Sequence, residues 1–546
     1  MTTTTAKRPG AGAPVARKTA ARRRPVFLAP LAAVSLLAAA FPAHADFRIS
    51  PTLRLSEIWT DNVNLTDDEF AHSELITQVS PGITVTNRSR RLVVDATAQL
   101  SAFDYLHDAD KRNRRGFALD EEGSGVSKIQ RSYRGSLRGE LARDLFFIDA
   151  SAARGQQSIS AFGPRITGDS YSTNNRADIE TWSISPYLVR RFGSVASGQL
   201  RFTRDAVGGA SYLGFNRTSG NTLQATLASG PAFRSVVWGL GYTDQDLQGD
   251  RYGNSSTRNV NGNLRYILSR QWSVLANAGY DRYEYEGLGG GEQGANWSLG
   301  FAWTPSPRTT LEATAGRHFF GNTGSLLAVH RSRYTSWNLS YSDAITTSRQ
   351  QFLLPSTIDT ASLLDSMFAT AYPDPVERER VVAAYMQQTG LPPSLSESVN
   401  YLTNRFIRQK LLRASMVYRK GRSNASLSAH ASERNALSDQ QSDSPLLGVQ
   451  QGSYNSNIRQ RGVAANYTYR LNPRSNLVAG IDIDKSESIT GNYTNFQRML
   501  RVGVTRRFGD ATGSIDLRRR SGDRTYSEAA RTYTEHMLSA SLSMTF

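Results

Sequence analysis

Charged residues recur through this chain at alternate positions: Arg134, Arg138 and Glu140, then Arg201, Arg265, Glu312, Arg413, Asp482, Arg501 and Arg518. Apolar residues stand between them. In an extended chain this spacing turns the charged side chains to one face and the apolar ones to the other. A wall of guanidinium forks suits carboxylated or phosphorylated solutes. The same arginines beside Asp and Glu could instead form cross-strand ladders that only hold a wall together. The residue pattern leaves both readings open.

Other chemistry is weaker. His107 lies beside Asp104, Asp108 and Asp110, the best acid–base grouping in the chain, but no serine accompanies it in a nucleophile motif. No catalytic residue is assigned, and the expectation is a protein that is not an enzyme. His318 and His330 read as flanking one loop without metal-ligand spacing. The acidic stretch Asp61, Asn62, Asn64, Asp67, Asp68 and Glu69 could hold calcium or bridge to surface polysaccharide, yet it lacks the spacing of a dedicated calcium loop and reads first as solvated. No metal and no cofactor are expected.

The elements that must carry these side chains are strands. In the last ten residues Leu538, Ala540, Leu542, Met544 and Phe546 share one face, and Ser539, Ser541, Ser543 and Thr545 the other. A strand apolar on one side, hydroxylated on the other and ending in an aromatic residue is the closing strand of an outer-membrane β-barrel. Leu538, Leu542, Met544 and Phe546 are the expected barrel-assembly signal. The same period of two recurs in Trp182, Ile184, Pro186 and Leu188, in Val236, Trp238, Leu240 and Tyr242, and in Trp297, Leu299, Phe301 and Trp303. The tryptophans, Trp59, Trp182, Trp238, Trp272, Trp297, Trp303 and Trp337, read as interfacial girdles.

Residues 1–45 carry seven basic residues and no acid, then an apolar run from Val26 to Phe41 and Ala43-His44-Ala45 ahead of Asp46. That is a secretory signal peptide. Arg23-Arg24 lacks a matching twin-arginine pattern downstream, and a barrel must reach its assembly machinery unfolded, so the general secretory route is expected. Removing this segment lowers the formal charge from +17 to +10. A mean hydropathy of -0.44 excludes a helical membrane protein but suits a barrel, in which only alternate side chains are apolar. There is no cysteine, which excludes a disulfide scaffold and a lipid-modified N-terminal cysteine. The expected partners are outer-membrane lipids and lipopolysaccharide, the barrel-assembly machinery and anionic polysaccharide. Nucleic acid is not expected for an exported chain.

Connections alternate in length. Short ones include 87–90, 191–193, 229–231, 304–308, 471–474 and 508–510; long ones include 61–72, 107–128, 159–176, 207–217, 435–456 and 521–532. Short periplasmic turns and long outer loops are the usual asymmetry. It predicts an all-β, antiparallel up-and-down barrel over 46–546 of twenty-two strands, with twenty the alternative. Both termini are periplasmic, and a turn at Ser342-Asp343 opens an extra strand over 344–354. Residues 355–402 break the theme. Leu363, Leu364, Met367 and Phe368 have helical spacing, and Asp374-Pro375-Val376-Glu377 forms a helix start that ends at Gly390. Asp374, Pro375, Glu377 and Gly390 thus mark a helical insert in an outer loop, read either as a gate over the mouth or as surface decoration.

Three local patterns resemble the PEP-CTERM system-associated outer-membrane β-barrel family: Thr60-Asp61-Asn62-Val63-Asn64-Leu65, Val79-Ser80-Pro81-Gly82-Ile83, and the insert from Leu364-Asp365 through Tyr372-Pro373-Asp374-Pro375 to Gly390-Leu391-Pro392. The resemblance spans the mature chain. It implies an outer-membrane barrel of porin type linked to exopolysaccharide systems of Gram-negative bacteria, and it brings no catalytic residues. The expected function is a passive or gated channel, with a non-conducting scaffold that docks partners through its loops as the alternative.

Overall fold

The computed structural model describes residues 47–107, 129–158, 160–164, 171–172, 175–209, 218–249, 254–285, 291–347, 350, 353, 406–437, 457–526 and 529–546. The signal peptide and the helical insert, with Asp374, Pro375, Glu377 and Gly390, fall outside these residues.

The alternating segments form twenty-two strands. The first eight are β1 (Arg48–Thr60), β2 (Glu74–Arg88), β3 (Leu92–Tyr105), β4 (Ile129–Ala142), β5 (Phe146–Ser158), β6 (Arg176–Phe192), β7 (Ala196–Gly209) and β8 (Thr218–Ser229). There follow β9 (Val236–Gly249), β10 (Ser255–Ile267), β11 (Trp272–Tyr285), β12 (Gly291–Ser306), β13 (Thr309–His318), β14 (Gly321–Arg331) and β15 (Thr335–Thr347). The last seven are β16 (Phe406–Lys420), β17 (Ser423–Ala436), β18 (Ile458–Asn472), β19 (Ser475–Ser488), β20 (Thr494–Phe508), β21 (Ala511–Tyr526) and β22 (Ala529–Thr545). Each strand pairs antiparallel with its neighbours in sequence, and β1 pairs with β22 from Thr52↔Thr545 to Thr60↔Met537. The sheet therefore closes, and closure removes the unpaired edges that a membrane would penalise.

The outward face is the apolar one. Leu55, Trp59, Leu200, Phe202, Val260, Trp297, Ile481, Leu500, Ile515, Leu517 and Leu538 are all exposed. The residues between them face inward, among them Ser56, Ile58, Thr60, Asp205, Asp516 and Glu535, all buried. On β22 this is the division read from the final ten residues. Two prolines interrupt the ladder where the missing N–H would have donated: pairing between β2 and β3 skips Pro81, and pairing between β6 and β7 skips Pro186.

Twenty-two strands are reached by a different route from the one expected. β15 runs unbroken through Ser342 and Asp343 to Thr347, paired with β16 throughout, so there is no turn at that point and 344–347 belong to β15 rather than to a separate strand. Short and long connections do not sort cleanly between the two ends either. At the outer end β13 and β14 are joined by Phe319-Phe320 alone, and the expected long loop over 521–532 is mostly strand, with only residues 527–528 between β21 and β22. His318 and His330 do not flank a loop. They occupy opposite ends of the β13–β14 hairpin, His318 opposite Gly321 and His330 opposite Thr309.

Candidate functional site

The inner wall carries the charged residues singled out in the sequence. Arg134, Arg138 and Glu140 lie on the inner face of β4, Arg201 on β7, Arg265 on β10 and Glu312 on β13. Arg413 lies on β16, Asp482 on β19, Arg501 on β20 and Arg518 on β21. Several are brought together. Asp149 on β5 accepts Arg138 Nε at 3.1 Å on one oxygen and Arg201 Nη2 at 3.0 Å on the other. Arg201 reaches it over β6, where the inward residue opposite Asp149 is only Ser185. Its guanidinium also lies 4.0 Å above the Tyr187 ring, which stacks on Phe147.

Further round the wall, Arg265 Nη2 and Glu312 Oε2 meet at 2.5 Å across β11 and β12. Arg501 binds Asp516 through Nε at 2.9 Å. Arg501, Arg518 and Arg54 of β1 line a recess of about 170 Å3, with Asp516 among its walls. Others stand apart. Glu140 accepts the Asp144 N–H at 2.6 Å and so closes a periplasmic turn. Arg413 sits opposite His430 in register, Arg134 sits opposite Thr97, and Asp482 lies between outward Ile481 and Ile483. The β4–β7 and β10–β13 walls are thus cross-braced, and the recess brings Arg54, Arg501 and Arg518 together with Asp516.

The strongest feature was not legible in the charged pattern. The described parts of the connection between β5 and β6, residues 160–164, 171–172 and 175, lie against inward-facing residues of distant strands. Its neck is pinned by Asn175, whose amide accepts the Ser160 N–H at 2.9 Å and donates to Ser160 O and Pro164 O, both at 2.9 Å. Asn175 holds a left-handed backbone, φ 60°, which asparagine tolerates better than most residues. Gly163 is required beside it, because a Cβ there would lie 2.2 Å from the Asn175 side chain. Asn495 Nδ2 of β20 donates to Ala161 O at 2.9 Å and Gly163 O at 3.1 Å, and Gln497 Nε2 to Gly163 O at 2.7 Å. Phe162 packs with Ile458 of β18. Between β5 and these strands stand β4, β3, β2, β1, β22 and β21, so the loop lies against a remote part of the wall.

Its returning limb is held as firmly. Tyr171 is buried with Ile58, Val63, Ile76, Phe103 and Met537, and its phenol donates to Glu535 Oε1 of β22. Glu535, 1% exposed, also accepts Thr60 Oγ1 at 3.1 Å and has Arg520 Nε at 3.7 Å for its charge. Burial, and then the Glu535 carboxylate, push the Tyr171 phenol well above its ordinary range, so it stays a donor at neutral pH. Tyr105 Oη donates to Tyr171 O at 3.3 Å and Ser172 Oγ to Asn64 O at 3.3 Å.

The acidic stretch 61–69 is a clamp rather than a solvated loop. Asn62 is fully buried; its amide donates to Thr66 O at 2.8 Å and Thr534 O at 3.1 Å and accepts the Thr66 N–H at 3.0 Å. Asp61 accepts the His536 N–H at 2.7 Å and lies 2.7 Å from His536 Nδ1. Asp68 accepts the Thr534 N–H at 2.6 Å. These bonds lock the first outer loop over the seam where β1 meets β22. His107 sits nearby with a different partner from the acids beside it in sequence: its N–H donates to Glu74 Oε1 at 2.8 Å, and its Nδ1 is 3.3 Å away. Among the described residues no group of three or more His, Asp or Glu is placed to hold a metal ion.

A closed antiparallel barrel, apolar outside and polar inside, defines a transmembrane β-barrel of the Gram-negative outer membrane. The chain matches no protein-family profile and no curated protein in sequence. Among solved structures it is similar to the FrpB iron transporter from Neisseria meningitidis (12% identity, 91% of this chain and 81% of that one, TM-score 0.46). It is also similar to the siderophore receptor PirA from Pseudomonas aeruginosa (10%, 91% and 80%, TM-score 0.36). A third is the outer-membrane protein OpdK from Pseudomonas aeruginosa (10%, 91% and 99%, TM-score 0.34).

Proposed function

We propose that this barrel is a gated, anion-favouring conduit, and that the β5–β6 connection is its gate. The observation that carries this is the set of contacts made by the described residues of that connection, with Ala161 and Gly163 bonded to β20 and Tyr171 bonded to Glu535 of β22. Contacts of this kind, a few hydrogen bonds between a loop and the wall, are what a gate would break and remake. Nearby, Arg54, Arg501 and Arg518 line a recess together with Asp516. Guanidinium groups in a confined polar recess attract carboxylated or phosphorylated groups.

The cargo we infer is an acidic polysaccharide or a related anionic solute, on the strength of this charge and of the resemblance to barrels linked to exopolysaccharide systems. No reaction is assigned. The reading is tested by single-channel recording of the refolded barrel in planar bilayers under a salt gradient. Wild type should give steps with an anion-favouring reversal potential, and Arg501→Gln with Arg518→Gln should move that potential toward zero. A folded protein that stays silent, also when the Tyr171 contact is removed, would make it a scaffold that docks partners through its loops.

A further inference from the structure

The outward face of the barrel carries a second charged feature, separate from the lumen. At the outer end of four successive strands a cation stands immediately above an outward-facing apolar residue of its own strand, exposed on three of them and half-buried at Ile483. Arg461 stands above Val463 on β18 and Lys485 above Ile483 on β19; Arg498 stands above Leu500 on β20 and Arg519 above Leu517 on β21. The register makes this one band. Arg461 pairs with Lys485, Lys485 with Phe496, and Arg519 with Leu500, so the cations step across the sheet along a diagonal. All four are exposed, and the Arg498 guanidinium lies 4.5 Å above the Phe496 ring.

Elsewhere around the outer rim several such cations are paired, while Arg131 on β4, Arg204 on β7 and Arg317 on β13 are exposed singly and never on adjacent strands. Arg154 is gripped by Asp178 at 2.9 Å and Glu180 at 2.7 Å, Arg258 by Asp244 at 3.2 Å, and Arg408 by Asp343 at 2.7 Å. In the band, Glu487 takes Lys485 and Glu433 takes the flanking Arg459. Asp523 lies beside Phe496. Among the described residues no carboxylate forms an ion pair with Arg461, Arg498 or Arg519.

We propose that this band binds the phosphates of a phosphorylated glycolipid of the outer leaflet, with its acyl chains on Val463, Ile483, Leu500 and Leu517. The position decides the ligand class. A free anion has no use for an apolar surface directly beneath the charges, whereas a lipid of this kind places phosphates and hydrocarbon at the same spacing. Arginine and lysine stems lie along apolar surface while their heads reach the headgroup layer, and each basic residue near an anionic lipid surface strengthens binding about fivefold.

The test is native mass spectrometry of the purified, delipidated mature barrel titrated with phosphorylated lipid A or with the same lipid after enzymatic dephosphorylation. Wild type should retain the phosphorylated lipid at least about tenfold more tightly. The variant R461Q/K485Q/R498Q/R519Q should lose that preference; R461K/R498K/R519K, which keeps the charge, and R258Q/R282Q, on another wall, should retain it. Heat-modifiable migration reports that each variant is folded. The proposal is overturned if the four-fold Gln variant binds like wild type, if R258Q/R282Q loses as much, if dephosphorylated lipid binds equally well, or if millimolar inorganic phosphate displaces the lipid.

Discussion

Tyr171→Phe removes one oxygen from the gate and little else. The ring keeps its seat among Ile58, Val63, Ile76, Phe103 and Met537, so packing is preserved. What is lost is the hydrogen bond to Glu535, a buried carboxylate left with Thr60 Oγ1 at 3.1 Å and Arg520 at 3.7 Å. A hydrogen bond to a charged group contributes about 1.5–3 kcal/mol. If the loop exchanges between the wall and the lumen, that loss raises the ratio of open to closed by about tenfold to about a hundredfold. Single-channel recording should show longer open dwell times at unchanged unit conductance. The other limb is still held by Asn495 and Gln497, so adding Asn495→Ala and Gln497→Ala should extend the dwell times further and raise the unit conductance. If all of these variants match wild type in dwell time and conductance, the loop is a fixed part of the mouth and the gating argument fails.

Asn62→Ala deletes four hydrogen bonds from a buried side chain and should destabilise the barrel by about 2–4 kcal/mol, seen as a lower urea midpoint and a lower temperature for loss of the compact gel band. Gly462→Ala places a Cβ about where Asp484 Oδ1 and His430 Cε1 now sit, 2.1 and 2.4 Å away. It should cost about 1–3 kcal/mol, whereas Gly193→Ala, in open space, should show only the smaller penalty of its positive φ. Arg265→Gln should lower stability by about 1 kcal/mol or less, since its partner Glu312 is partly exposed, and should leave the reversal potential closer to wild type than Arg501→Gln does.

The wall of the barrel was readable because its physics is local. A strand with lipid on one side and water on the other must alternate, and Val463, Ala465 and Tyr467 or Leu538, Ala540 and Leu542 display that alternation within a few residues. The hairpin β13–β14 escaped the length rule because its outer turn, Phe319-Phe320, is as tight as a periplasmic one. The gate and the clamp were unreadable for a deeper reason. Gly163 meets Asn495, Tyr171 meets Glu535, and Asn62 meets Thr534, and nothing in the neighbourhood of any of these residues announces the distant partner. Asn62 in particular looks like any polar loop residue until the strand it binds is in place. The acidic stretch therefore read as solvent-facing, and the lumenal charges could be assigned to a face but not to partners.

The clamp over the seam also bears on the order in which the chain assembles. Its bonds join residues separated by as many as 475 positions, and bringing ends so far apart into contact costs about 5 kcal/mol of loop-closure entropy. No bond between Asp61, Asn62 or Asp68 and β22 can form until the whole circuit of strands is complete, so this group of contacts reports closure itself and stabilises nothing that precedes it. At the other end of the seam the Phe546 N–H donates to Pro51 O at 2.9 Å, which places the start of β1 beside the end of β22. A permuted chain in which β22 runs directly into β1 would turn the same clamp into a hairpin contact, formed early instead of last. Such a permutant should refold faster than the natural order of strands while reaching the same closed barrel.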